Sequence, residues 1–260
     1  MDKKKIEVLQ KLQKMEAFYV LFSRGTNNPF IICDPDTYND QVWIFEENKD
    51  LEEMAKPLIE NKNALAAIKV ENKSFLHFFT TLISIGVNAV MFVEKERKTE
   101  FDLEEIIRKP DYSNLPEKER PLLNPQMQIS AIYFMQELRR GVKMEEKSTL
   151  KELEEEIAAN LVKSKFLLAV EAGQEGEQMQ VPYIKDKEGN VFQPVFTDPG
   201  EFSKFNGKKK FRAVMVDFKN MKKVVIPDAV GIVVNPQGFN LIVRKDKFDS
   251  LLQRFGISVE

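Results

Sequence analysis

Chemistry at neutral pH needs a side chain that moves a proton, attacks a substrate or holds a metal, and this sequence offers few. Its one histidine is His77, in Ser74-Phe75-Leu76-His77-Phe78-Phe79, and its one cysteine is the distant Cys33. Two-histidine and histidine–cysteine metal spacings are therefore out of reach. Ser74 stands one helical turn before His77, which leaves a Ser–His contact open. A packed or partly exposed histidine on an apolar helix is the plainer reading. Asp34 follows Cys33 and its charge disfavours a thiolate, so Cys33 reads as inert. Gly173 and Gly176 sit among Glu171, Glu175 and Glu177, where the carboxylates would repel a phosphate, and the segment reads as an acidic loop. Glu154, Glu155 and Glu156 are adjacent on a helical pattern and point in different directions, as a solvated face does. No catalytic residue, metal ligand set or cofactor is expected from these positions, and the balance leans away from an enzyme.

A second set of polar residues closes apolar runs. Thr197 and Asp198 follow Pro194-Val195-Phe196, Asp217 follows Ala213-Val214-Met215-Val216, and Asn235 follows Gly231-Ile232-Val233-Val234. Gathered around a deep pocket, these four would suit a small-molecule sensor or an enzyme, the alternative function for this chain. Each also has a structural use. Asp198-Pro199-Gly200-Glu201 is nearly a complete helix start, with a capping acid, proline at the first helical position and Glu three residues past the cap. Asn235-Pro236-Gln237-Gly238 suits a type I turn between two strands. A third set is basic: Lys208, Lys209, Lys210 and Arg212, with Lys219, Lys222 and Lys223 close behind. Residues 147–260 hold 18 basic and 16 acidic side chains, and residues 1–109 hold 16 and 19, so the positive charge is local to one strand. That patch would suit an acidic protein partner, although a merely solvated strand start stays open. Nucleic acid is disfavoured, because no stacking aromatics interleave the cations.

The elements that must position these residues come in two matching series. Each opens with an amphipathic helix, on Ile6, Leu9, Leu12 and Met15 and then on Leu150, Leu153, Ile157 and Leu161. Apolar strands follow at 18–22 and 166–170, then strands ending in Phe45 and Phe196. A capped helix comes next, with Asn48 as the first cap and Asp198 as the second. Buried strands at 64–70 and 211–216 end in Glu71 and Asp217, and a second short helix follows each; last come strands at 89–93 and 230–234 and a closing helix at 103–107 or 248–252. Eight shared elements in one order point to duplication. The fold class expected is α/β (mixed α+β): two tandem, diverged copies of a mixed-sheet unit with packed helices, at 1–109 and 147–260. Between them Pro110, Pro116, Pro121 and Pro125 mark an exposed linker. A connecting helix over 126–140 follows, with Gly141 as its C-terminal cap.

The second copy resembles the N-terminal domain of the SseB (enhanced serine sensitivity) proteins over roughly residues 160–253. The residues that carry it are Pro194-Val195-Phe196-Thr197-Asp198, Ala213-Val214-Met215-Val216-Asp217 and the run Gly231 to Gly238. The first copy departs from this pattern: Phe45-Glu46 stands for Phe196-Thr197, and Glu94-Lys95-Glu96-Arg97 for Asn235-Pro236-Gln237-Gly238. The resemblance implies a cytosolic bacterial α/β module, and the family's name hints at amino-acid metabolism.

Composition limits the rest. With 43% hydrophobic residues and 20 Phe the chain can bury a large core without covalent staples. A net charge of −2 argues against a general nucleic-acid or membrane-surface role. One cysteine permits no intrachain disulfide, in keeping with the cytoplasm, and no run approaches the length of a membrane span. The expectation is a non-catalytic binding or adaptor protein whose second copy engages a protein partner.

Overall fold

The computed structural model describes residues 3–171, 181–208 and 210–258. Gly173, Gly176 and Lys209 lie outside the described residues. The chain divides into two compact units, Met1–Asp111 with Met135–Ser148, and Tyr112–Phe134 with Thr149–Glu260. Among the described residues no helix is long and apolar enough to cross a membrane.

The first unit runs α1 (Lys3–Lys14), β1 (Ala17–Ser23), β2 (Asn28–Pro29), β3 (Ile31–Cys33), β4 (Asp40–Phe45), α2 (Asn48–Glu60), β5 (Leu65–Glu71), α3 (Phe75–Ile85), β6 (Ala89–Glu94), β7 (Arg97–Asp102) and α4 (Leu103–Ile106). Helix α5 (Pro125–Leu138) follows, its residues divided between the two units. The second unit continues with α6 (Leu150–Lys163), β8 (Lys165–Glu171), β9 (Ile184–Lys185), β10 (Val191–Phe196), α7 (Pro199–Phe205), β11 (Phe211–Asp217), α8 (Met221–Val224), β12 (Ala229–Val234), β13 (Leu241–Arg244) and α9 (Phe248–Arg254).

The two sheets share one topology. The first is ordered β5-β1-β4-β6-β7, with β2 also on β1 and β3 on β4; the second is β11-β8-β10-β12-β13, with β9 on β10. In each, one parallel pair, β4 with β6 or β10 with β12, lies among antiparallel ones, so the class is mixed α+β. The long ladders match residue for residue: Ala17↔Glu71 to Ser23↔Leu65 in one, Lys165↔Asp217 to Glu171↔Phe211 in the other. These registers equate Phe18 with Phe166, Phe45 with Phe196, Lys69 with Met215 and, through the parallel pairs, Ala89 with Gly231. A shared strand order with shared registers is what duplication of one unit produces.

Alternation along the strands fills a core on both faces of each sheet. Leu21 and Phe45 pack against Leu51 and Ala55 of α2. On the opposite face Phe18 meets the rings of Phe75 and Phe78 of α3 at 4.6 and 5.1 Å. In the second unit Leu167, Ala169 and Phe196 pack with Phe202 and Phe205 of α7, while Phe166 and Phe248 both contact Phe218.

Three local expectations are corrected. Asn48 is the first residue of α2 and not its cap; Glu47 takes the cap position, and the Asn48 amide donates to Glu52 Oε1 at 2.6 Å. Helix α5 ends at Leu138, earlier than a cap at Gly141 requires, because Gly141 N–H donates instead to Lys62 O at 3.0 Å. Glu201 does not fold back to complete a capping box; its carboxylate turns inward to Lys204.

Pro194 stands in an interior strand, where the lost N–H would break a ladder. The pairing of β10 removes the conflict. Val191 and Phe192 pair with β9, Val195 and Phe196 pair with β8, and Pro194 falls in the gap between the two.

Candidate functional site

The C-terminal ends of β10, β11 and β12 lie at one end of the second sheet, since all three run opposite to or parallel with the same neighbours. Thr197, Asp198, Asp217 and Asn235 therefore share that end. Three of them are joined. Thr197 N–H donates to Asn235 Oδ1 at 3.0 Å, and the Asn235 amide donates back to Thr197 Oγ1 at 2.7 Å. Thr197 O–H donates to Asp198 Oδ2 at 2.9 Å, which also accepts from Gln128 Nε2 at 3.0 Å. The other carboxylate oxygen caps α7, accepting from Gly200 N–H at 2.7 Å and Glu201 N–H at 3.1 Å. Asn124 closes the set, its amide donating to Thr197 O at 2.6 Å and Lys165 O at 2.9 Å. Asp217, on the outer strand, is half-buried and stands opposite Lys165.

These groups serve one another. Thr197 and Asn235 are 0% exposed and Asp198 is 5% exposed, so their polar atoms face protein and not solvent. A buried network with every member bonded rigidifies and specifies its surroundings. Here it ties the strand β10, the cap of α7 and the β12–β13 turn together. The small-molecule alternative has no accessible lining at these three residues.

The first unit explains why asparagine is needed. The registers place Val93, and not Glu94, at the position of Asn235, a shift of one residue from the correspondence expected from sequence. There Val93 O accepts from Glu46 N–H at 3.0 Å, an ordinary backbone bond. In the second unit the backbone turns away at Asn235, with φ of 46°, and the side-chain amide takes over that accepting role. Asparagine tolerates the left-handed region and carries a peptide-like group. Where Thr197 and Asp198 stand, the first unit has Glu46 and Glu47; Lys11 holds Glu46 and Glu94 together at 2.6 Å each, and Glu47 makes no side-chain cap.

The turn expected at Asn235-Pro236-Gln237-Gly238 is present, with Gly238 N–H donating to Asn235 O at 2.9 Å. Gly238 packs closely on the Glu201 carboxylate. A Cβ on Gly238 would come within 2.9 Å of Glu201 Oε2. Glu201 is 5% exposed, its Oε1 paired with Lys204 and its Oε2 buried with no hydrogen bond. Burial raises its carboxyl pKa, and Lys204 opposes the shift. A raised folded-state pKa adds stability that is complete below the ordinary glutamate range and is lost as pH rises through the folded value. The difference in melting temperature between the wild type and Glu201→Gln should therefore shrink as pH falls from neutral, with Glu201→Gln the more stable at neutral pH. Parallel pH profiles for the two proteins would refute this.

The structure divides the basic set: Lys219, Lys222 and Lys223 follow the C-terminal end of β11, while Lys208, Lys210 and Arg212 lie at the other end of the sheet, where β11 begins. Lys208, Lys210 and Arg212 are exposed. Lys210 pairs with Glu171 at 2.9 Å, and Lys208 has no ion pair among the described residues. Lys204, Lys208 and Lys210 border a depression of about 270 Å³ floored by Phe205 and Phe211. Strand-end residues and these cations are thus two separate places. His77 is exposed and makes no hydrogen bond to Ser74, and Cys33 is also exposed. No group of three His, Cys, Asp or Glu among the described residues is placed to hold a metal.

Sequence reasoning missed Asn124, Gln128 and Asn206. Asn124 donates to distant backbone carbonyls, Gln128 to the distant Asp198 carboxylate, and Asn206 to the backbone of Phe211 five residues on; only the buried polar position of Gln128 on an apolar helix gave any signal.

Residues 145–246 match the family model of the SseB protein N-terminal domain. No curated protein matches the chain. Among solved structures it is similar to Tic22 from Plasmodium falciparum, at 14% identity over 82% of this chain and 84% of that one, with a TM-score of 0.25. It is also similar to Anabaena Tic22, described as a protein of protein transport, at 10% identity over 84% of each chain, with a TM-score of 0.23. Identity and superposition this low support no statement about what the present chain does.

Proposed function

We propose that this chain is a non-catalytic binding or adaptor protein of the cytoplasm, and that its second unit engages a protein partner through β11 and the cations at its start. The observation that carries the reading is the exposure of apolar and basic side chains together on one strand: Val214 is 41% exposed and Met215 51%, beside exposed Arg212, Lys210 and Lys208. Exposed apolar surface rimmed by charge is the composition of a protein interface. The motif residues Thr197, Asp198 and Asn235 tie β10, α7 and the β12–β13 turn together, two strands in from β11. The first unit keeps the topology and lacks these residues, which suits a supporting role. A lone cysteine fits the reducing compartment.

Charge reversal tests the reading. Lys208→Glu, Lys209→Glu, Lys210→Glu and Arg212→Glu combined should deplete specific partners recovered by affinity capture from native cells. Rim charges govern encounter rate and salt dependence, so recovery by the wild type should also fall with added salt. Unchanged recovery of the same proteins by the reversed variant would refute the proposal.

A further inference from the structure

Among the described residues β11 is the outermost strand of its sheet and pairs with β8 alone. Its outer edge is already used once. Phe211 N–H donates to Asn206 Oδ1 at 3.0 Å, and the Asn206 amide donates to Phe211 O at 2.7 Å. The asparagine side chain thus stands where the peptide group of one more strand would stand. Since a strand turns alternate residues' peptide groups to alternate sides, Phe211 facing outward means that Ala213 and Met215 face outward too.

An open edge invites pairing unless it carries a guard such as lysine, proline or a bulge. The first unit has the guard: β5, the matching strand, presents exposed Lys69 at the position of Met215. β11 has none between Ala213 and Val216, holds no proline, and pairs with β8 without a register break. Its cations instead gather at its beginning, around the depression that Asn206 borders.

Resting on the adaptor reading above, we propose that β11 binds its partner by strand addition: an extended protein segment, apolar along its length and acidic at one end, pairs with Ala213 and Met215. Its carboxylates lie against Lys208, Lys210 and Arg212. Main-chain bonds supply affinity in this mode, and side-chain pockets and charges supply selectivity. The exposed cations at the start of β11 argue for an acidic occupant. A second copy of β11 paired antiparallel about Val214 would set Arg212 against Val216 and Phe211 against Asp217, leaving the lysines without carboxylates opposite them.

The test uses the full chain and two synthetic peptides of alternating valine and threonine, with glutamates at one end or the other, followed by fluorescence anisotropy and amide hydrogen exchange. One of the two should bind and slow exchange at the Ala213 and Met215 amides. Methylating alternate peptide nitrogens on the pairing edge should weaken binding by about tenfold or more, because main-chain bonds are lost. Met215→Lys, which copies the guard of the first unit, should weaken it by about as much; should that variant fail to fold, the methylated peptide against the wild type still decides. If neither peptide binds, or if concentration-dependent self-association protects Ala213 and Met215 instead, strand addition of an acidic segment is overturned. If methylation and Met215→Lys have no effect while Lys208→Glu with Lys210→Glu and Arg212→Glu abolishes binding, strand addition falls and the charge-based adaptor reading stands.

Discussion

Replacing Asn235 with alanine is expected to cost the second unit about 3 kcal/mol, read as a lower urea midpoint by circular dichroism. The Thr197 N–H, at a residue 0% exposed, loses the Oδ1 that accepts it at 3.0 Å. A buried donor left without a partner costs roughly 1–3 kcal/mol. The Thr197 hydroxyl loses a donor as well, although it keeps Asp198 Oδ2 at 2.9 Å. Alanine must also adopt φ of 46°, which costs an L-residue with a Cβ about 1–2 kcal/mol. Asn235→Gly separates the two contributions, since glycine enters the left-handed region freely. It should recover about 1 kcal/mol of the loss and no more. Wild-type stability in Asn235→Gly would show that the amide does not hold the strand ends, and the account of the motif would fail.

Gly231→Ala is the second large effect, at about 2–3 kcal/mol. A Cβ at Gly231 would lie 2.4 Å from Val243 O and 2.9 Å from Arg244 Cα. Both are backbone atoms of the paired strand β13, so no side chain can swing aside to make room. The close approach has a local origin. The β10–β12 register breaks between Val191 and Phe192, where Val191 pairs with Ala229 but Phe192 pairs with Gly231. Such a bulge sharpens the bend of its strand. The equivalent residue in the first unit is alanine, Ala89, in a ladder that runs from Gln41↔Ala89 to Phe45↔Val93 without a break. Ala89→Gly should therefore lose only about 0.5–1 kcal/mol, the ordinary cost of glycine in a strand. Equal effects of the two exchanges, measured by urea unfolding, would rule out the steric account.

Much of the fold was legible in local pattern. The order of apolar runs gave the duplication, because burial on a sheet face demands such runs wherever the chain later pairs. Asp198 was legible as a cap because its partners, Gly200 and Glu201, are its neighbours in sequence. Glu201 was misread for the complementary reason. Its surroundings include Gly238, far along the chain, and no local rule distinguishes a glutamate that caps from one that turns inward.

The sequence by itself determined the elements and their order, the helix start at Asp198, the turn at Asn235, and the charge gathered before β11. These depend on residues within a few positions of one another. Only the tertiary structure decided which partners Thr197, Asp198 and Asn235 bond. Thr197 and Asn235 are 38 residues apart and Gln128 and Asp198 are 70 apart, so whether they line a pocket or bond one another depends on which strands lie side by side. The same holds for β11: its residues were legible as a strand, but an edge is defined by the neighbour that does not pair with it, and strand order is a property of the folded sheet alone.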